Sequence, residues 1–186
     1  MSRNSPLQHL LGRPGLALAL AERAFLGHVI VRGDAADAAF ANAARSVLGV
    51  ALPRRANTLV QAANATVLWL GPDEWLVQTP AAHRAPLLEQ LRKALAGQHA
   101  AVTDVSDGHT VIVLDEPRAA ELLARGCPLD LHLSVFAVGS CAQSLLGKAG
   151  VLIVREAPER FAITVRRSFA AYVFHALQDA GALAVS

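Results

Sequence analysis

Cysteine is scarce: Cys127 and Cys141 are the only two in 186 residues. They stand apart, outside any C-x-x-C spacing, and an export signal is not expected. A disulfide framework is therefore not expected, and the pair reads as buried thiols in a reducing, cytoplasmic compartment. Charge is also sparse, at 17% of the chain, where a soluble domain carries about 25%. The net charge is +2, with ten basic and six acidic residues up to Gln98 and seven and nine beyond it. Neither half has the basic footprint of a nucleic-acid binder. The apolar run at residues 16–21 is cut by Glu22 and Arg23, too short to span a bilayer, so no membrane insertion is expected. No G-x-G-x-x-G follows a strand and no G-x-x-x-x-G-K-[ST] occurs, which argues against a phosphate-cradling loop for nucleotide or flavin. The seven histidines are scattered singly, without the short-spaced ligand pair that a metal site usually shows.

What the chain has in excess is apolar surface: 53% hydrophobic residues and a mean hydropathy of +0.36. With no membrane segment to absorb it, part of that surface is expected to be covered by partner chains. The alternative is genomic bias, since fifteen of the seventeen basic residues are arginine.

Residues 1–20 hold Pro6, Gly12, Pro14 and Gly15 and read as an irregular N-terminal arm. Residues 25–32 form a β-branched run that ends at Gly33, with Asp34 as the cap of a helix over 35–48 stopped by Gly49. Strands follow at 57–62, 66–70 and 75–78, making a meander, then a helix at 80–96 and a strand at 100–105. The second half repeats the order: a strand at 109–114, a helix at 117–125, strands at 140–146, 151–155 and 160–165, and a helix at 168–180. Val29-Ile30-Val31 corresponds to Val111-Ile112-Val113, and VLWLGPDEWLVQT to VLIVREAPERFAITV. The fold class expected is α+β, two duplicated β-α-β-β-α units packed as one body, divided as 21–105 and 106–186 after the arm.

No residue stands out as catalytic, cofactor-binding or metal-ligating. Asp104, Ser106 and Asp107 near His109 could suggest a nucleophile, but Asp and Ser are also the residues that build a tight turn. Candidate interface residues are the turn Gly71, Pro72, Asp73, Glu74 and Trp75, the segment Cys127, Pro128, Leu129 and Asp130 running on to His132, and the pair Arg166 and Arg167. That pair would put positive charge at the unfavourable end of the last helix, where a partner's carboxylate would offset it. Trp69 and Trp75 are expected to pack beneath the meander.

The runs FLGHVIVRGD, LWLGPDEWLV, VTDVSDGHTVIVL, LLARGCPLDLH, GSCAQ and VRRSFAAYV, in this order from Phe25 to Val173, resemble the gamma subunit of heterotetrameric sarcosine oxidase almost end to end. The resemblance implies a cofactor-free, non-catalytic chain with alpha, beta and delta subunits as partners. Those subunits would hold FAD, FMN, NAD and tetrahydrofolate, in a complex that oxidises sarcosine to glycine, hydrogen peroxide and 5,10-methylenetetrahydrofolate. The segment DVSDGHTVIVLDEPRAAELL is also similar to the folate-dependent aminomethyltransferase, the T-protein of glycine cleavage. That family places an acidic residue just before the strand that here reads GVLIV. Here Val151 and Leu152 stand there, no Asp or Glu occurs between Asp130 and Glu156, and Asp107 replaces the family's histidine after DVS. The resemblance thus implies a folate fold that has kept its packing and lost its chemistry. The competing readings are a freestanding folate-binding aminomethyltransferase and a binding module for another partner, the latter suggested by Arg54-Arg55 and Arg166-Arg167.

Overall fold

In the computed structural model, which describes residues 4–185, the regular elements follow as β1 (Leu20–Arg23), β2 (Gly27–Arg32), α1 (Ala38–Leu48), β3 (Leu59–Gln61), β4 (Thr66–Gly71), β5 (Glu74–Thr79), α2 (Ala81–Ala94), β6 (Ala101–Asp104), β7 (His109–Asp115), α3 (Ala119–Ala124), β8 (Cys141–Leu146), β9 (Ala149–Ala157), β10 (Arg160–Arg166) and α4 (Ala170–Val185). They form two units. One is Phe25–Asp107, and the other joins the chain up to Ala24 with the chain from Gly108 onward. Each holds one five-stranded antiparallel sheet, ordered β3-β4-β5-β2-β6 in the first and β8-β9-β10-β7-β1 in the second.

The division differs from the expected one at 20/21 and 105/106. Leu20–Arg23 is an edge strand antiparallel to β7, with Leu20 opposite Leu114 and Arg23 opposite Val111. Its partner lies so far downstream that no local signal announces it. The expected irregular arm is also packed within its described part: Leu7, Leu10 and Leu18 are buried in the same core cluster as Leu114, Phe161 and Phe174. Gln178 of α4 fastens this segment from both sides, donating to the Leu18 carbonyl at 2.8 Å and accepting from the Leu18 N–H at 3.0 Å.

In the unit Phe25–Asp107, α1 begins later than its alanine run suggests. Asp37, not Asp34, is the cap, and its carboxylate accepts from Ala39 N–H at 2.8 Å. Asp34 instead accepts from Ala36 N–H and, through its carbonyl, from Asp37 N–H, folding a turn ahead of the helix. Phe40, Ala44 and Leu48, spaced by four, form the buried stripe, while Ala36 and Ala39 fall outside it and are exposed. Gly49 ends the helix in the left-handed region at φ 74°, which a side chain would resist. Under the sheet, the Trp75 indole is fully buried, lies 6.0 Å from the Phe40 ring centroid and donates to the Pro53 carbonyl at 2.8 Å. Gly33 lets Phe40 in, because a Cβ there would fall 2.3 Å from Phe40 Cε2.

In the other unit, α3 and α4 cover the face of the sheet that carries Ile112, Leu114, Ile153, Phe161 and Ile163. The final helix starts at Ala170 rather than at 168, preceded by a 3-10 turn at Arg167–Phe169. No helix among the described residues is long and apolar enough to cross a membrane.

Candidate functional site

The residues that most resemble catalytic machinery meet at the corner after β6. The 3-10 turn Ser106–Gly108 brings Ser106 under β2 and within reach of Asp104 and His28. The contacts, however, are those of a structural corner. Ser106 Oγ donates to Asp104 Oδ1 at 2.5 Å and accepts from the His28 backbone N–H at 2.9 Å. The His28 ring turns elsewhere, with Nδ1 3.2 Å from the Leu26 carbonyl and Nε2 3.3 Å from Gln78 Nε2. The serine hydroxyl is thus directed at a carboxylate, not at an imidazole that could take its proton. Burial would raise the Asp104 carboxyl, but the hydrogen bonds from the Ser106 hydroxyl and N–H, and then Arg84, hold it below the usual carboxylate range. Arg84 sits between Asp104 and Asp107, and its guanidinium is raised first by the bond to Asp104. The turn reading of the DVSDG segment accounts for this geometry.

Arg155 of β9 is the second unusual group, and its alternation within VLIVR gives no warning of it. It is 3% exposed. Nη1 donates to the carbonyls of Leu131 at 3.0 Å and Phe136 at 2.7 Å, Nη2 donates to Pro158 at 2.9 Å, and Cζ lies 4.7 Å from the Phe161 ring centroid. Desolvation pushes the guanidinium below its ordinary value, and among the described residues no carboxylate offsets that shift. Its Nε is buried without an acceptor. The side chain therefore clamps the loop 131–139 onto β9 through backbone carbonyls alone.

The candidate interface residues fall into different settings. Gly71, Pro72, Asp73 and Glu74 lie at the β4–β5 turn, with Asp73 ion-paired to Arg32 at 2.8 Å and its carbonyl accepting from Gly33 N–H. Trp75, by contrast, is core, and a fully buried indole has no face left to offer a partner. Cys127 is likewise buried, 3.5 Å from Ser144 Oγ, while Pro128 and Asp130 are exposed and Leu129 is half-buried. Arg166 is the last residue of β10, so it precedes the helix instead of opening it. Arg167 occupies the 3-10 turn and donates to the Asn4 carbonyl at 2.8 Å, an acceptor within its own unit. Both cysteines are buried and neither forms a disulfide. Among the described residues no group of three or more His, Cys, Asp or Glu could hold a metal ion.

A groove of about 360 Å³ runs beside the last turn of α1, between the β3–β4 turn and the His83 and Gln90 side of α2. Its lining holds no carboxylate and no thiol. Thr79 at its floor donates to the Asn64 carbonyl at 2.7 Å. Nothing there pairs a nucleophile with a base.

Residues 32–183 match the model of the sarcosine oxidase, gamma subunit family. A sarcosine oxidase subunit gamma from Arthrobacter sp is 36% identical over 96% of this chain and 89% of its own length. One from Corynebacterium sp. (strain P-1) is 34% identical over the same shares. Among solved structures, a chain of the heterotetrameric sarcosine oxidase from Corynebacterium sp. U-96, in complex with pyrrole 2-carboxylate, superposes with a TM-score of 0.89 at 31% identity, covering 97% of this chain and 95% of that one. The glycine cleavage system aminomethyltransferase T from Bartonella henselae shares the fold, with a TM-score of 0.65 at 16% identity over 85% of this chain and 44% of that one. From β2 to the last helix, the chain belongs to the sarcosine oxidase gamma subunit family.

Proposed function

We propose that this chain works as a non-catalytic subunit of a heterotetrameric sarcosine oxidase, contributing assembly instead of chemistry to the oxidative demethylation of sarcosine. The observation that carries the reading is the end-to-end likeness to a chain of such a heterotetramer. The resemblance to the T-protein adds to it, since where that family's acid would fall this chain has Val151 and Leu152, two buried residues of β9. An aliphatic pair in a sheet interior can neither hold a folate amine nor move its proton. FAD, FMN, NAD and tetrahydrofolate then belong to the alpha, beta and delta subunits, and the enzyme is cytoplasmic, in keeping with two thiols left out of any disulfide.

The two sheets share one strand order, with β6 and β1 in the same place at the rim. This supports an internal duplication with repeats running from β1 to α2 and from β6 to α4, in which the first strand of each repeat joins the sheet built by the other. Docking then draws on the turn Gly71–Glu74, on Pro128, Leu129 and Asp130, and on Arg166 and Arg167, with Trp75 and Cys127 supporting these segments from beneath. The test is co-expression with the other three subunits of the same organism. The chain is expected to co-purify in a stoichiometric complex that turns over sarcosine. Turnover of sarcosine, or micromolar binding of tetrahydrofolate, by the purified chain alone would refute the reading and favour a freestanding aminomethyltransferase.

A further inference from the structure

The large apolar side chains exposed among the described residues all belong to the unit that contains β7 to β10. Four of them, Leu133, Val135, Val138 and Leu145, lie within residues 131–155, and Val135 is 63% exposed. The same stretch carries the exposed Lys148 and the buried Arg155 and no Asp or Glu of its own; Asp130 borders it, its carboxylate accepting from His132 N–H at 2.9 Å. It also forms a rim: β8 is the last strand of its sheet, the loop 131–139 leads into it, and the Gly147–Lys148 turn leaves it. Six strand residues separate the two ends, a distance of about 20 Å, and a stable interface contributes about 800 Å² per partner, wide enough to cover both.

The loop does not hold its apolar side chains out because it is slack. Arg155 fixes the Leu131 and Phe136 carbonyls on either side of Leu133 and Val135. The conformation that exposes them is thereby set before any encounter, which lowers the ordering cost of binding. A cation is buried to achieve this, with no carboxylate among the described residues to balance it. A rim that is apolar, pre-set and marked by the exposed Lys148 fits a face that is apolar and sets a carboxylate against that lysine.

We propose that the rim of β8, from the loop 131–139 to the Gly147–Lys148 turn, is the surface on which another subunit of the heterotetramer docks. This rests on the subunit reading above and adds to it the surface and the partner's chemistry. The experiment titrates the purified chain against the complex of the remaining subunits and measures affinity at low and high salt. Leu133→Ser with Val135→Ser is expected to weaken docking at least about tenfold, as loss of two buried anchors would. Lys148→Glu should weaken it several-fold and flatten its salt dependence, Lys148→Arg should not, and Leu183→Ser, an exposed apolar residue outside the rim, should leave it within twofold. Circular dichroism and melting confirm that each variant folds.

Docking by the double variant within twofold of the wild type overturns the surface while leaving the subunit reading intact. So does an equal loss with Leu183→Ser. A chain that self-associates through this rim, with the double variant abolishing the dimer and sparing docking, overturns it in favour of a second copy as occupant. Failure of the wild-type chain to join the other subunits overturns the subunit reading and the surface together.

Discussion

Replacing Arg155 with methionine keeps the bulk of the side chain and removes its donors. Three backbone carbonyls, those of Leu131, Phe136 and Pro158, lose a charged partner. At about 1.5–3 kcal/mol for each hydrogen bond to a charged group, the gross loss is about 4.5–9 kcal/mol. Two effects act against it. Removing a buried cation relieves a desolvation cost of several kcal/mol, and the thioether keeps contact with Phe161. Because Pro158 is exposed, water can also reach its carbonyl. The expected net destabilisation is about 2–4 kcal/mol, measured by urea unfolding with an unchanged m-value. Amide exchange should report where the loss falls, with residues 131–139 exchanging at least about tenfold faster and β4 and β5 unaffected. Arg155→Lys should recover little, since a single ammonium cannot fork between the Leu131 and Phe136 carbonyls. A methionine variant within about 0.5 kcal/mol of the wild type, with loop exchange unchanged, would show that the guanidinium is not the clamp, since that difference is no larger than that of an ordinary surface substitution.

Asp37→Ala removes the cap of α1 and should cost about 1 kcal/mol in thermal or urea unfolding; an equal or larger loss with Asp34→Ala would assign the cap wrongly. Gly33→Ala drives a Cβ to 2.3 Å from Phe40 Cε2, and overpacking of this kind should cost about 1–3 kcal/mol, a loss that Phe40→Leu in the same chain is expected to reduce. Asp104 is held below its ordinary pKa, so its contribution is fully present above the unfolded value of about 3.9 and fades as pH falls through the lower folded value. The stability gap between wild type and Asp104→Asn, followed by unfolding at stepped pH, should therefore close on acidification below about pH 4 and stay constant above about pH 5; a gap that widened toward acid would reverse the sign of the reasoning.

The sequence is most legible where structure is local. The meander around Gly71-Pro72-Asp73, the helix ending at Leu48 and the stop at Gly49 depend on near neighbours, and these elements lie within a few residues of where periodicity and turn chemistry put them. Asp34 and Asp37 are harder to separate, because two aspartates three residues apart satisfy the same capping rule and only the turn geometry chooses between them. The strand at Leu20–Arg23 is invisible locally, since its only ladder is with β7. Arg155 escapes for a different reason: β9 is buried on both faces from Val151 to Val154, so the two-residue alternation that would mark an inward arginine is missing. One signal was available, an arginine closing an apolar strand in a stretch with no acid. Trp75 and Cys127 sit in distinctive motifs that suggest contact with a partner, but bulk and apolarity draw both into the interior, where the aromatic character of Trp75 also points.

The edge strand Leu20–Arg23 has a consequence for how the protein is made. It leaves the ribosome before Phe25–Asp107, a contiguous stretch that can close its own sheet as soon as it is complete. Leu20 must meanwhile wait, exposed, until Leu114 and the strands behind it have been synthesised, several seconds at a rate of about 5–20 residues per second. Nascent-chain order is therefore the reverse of spatial completion, and a strand translated ahead of the Phe25–Asp107 sheet finds its place after it.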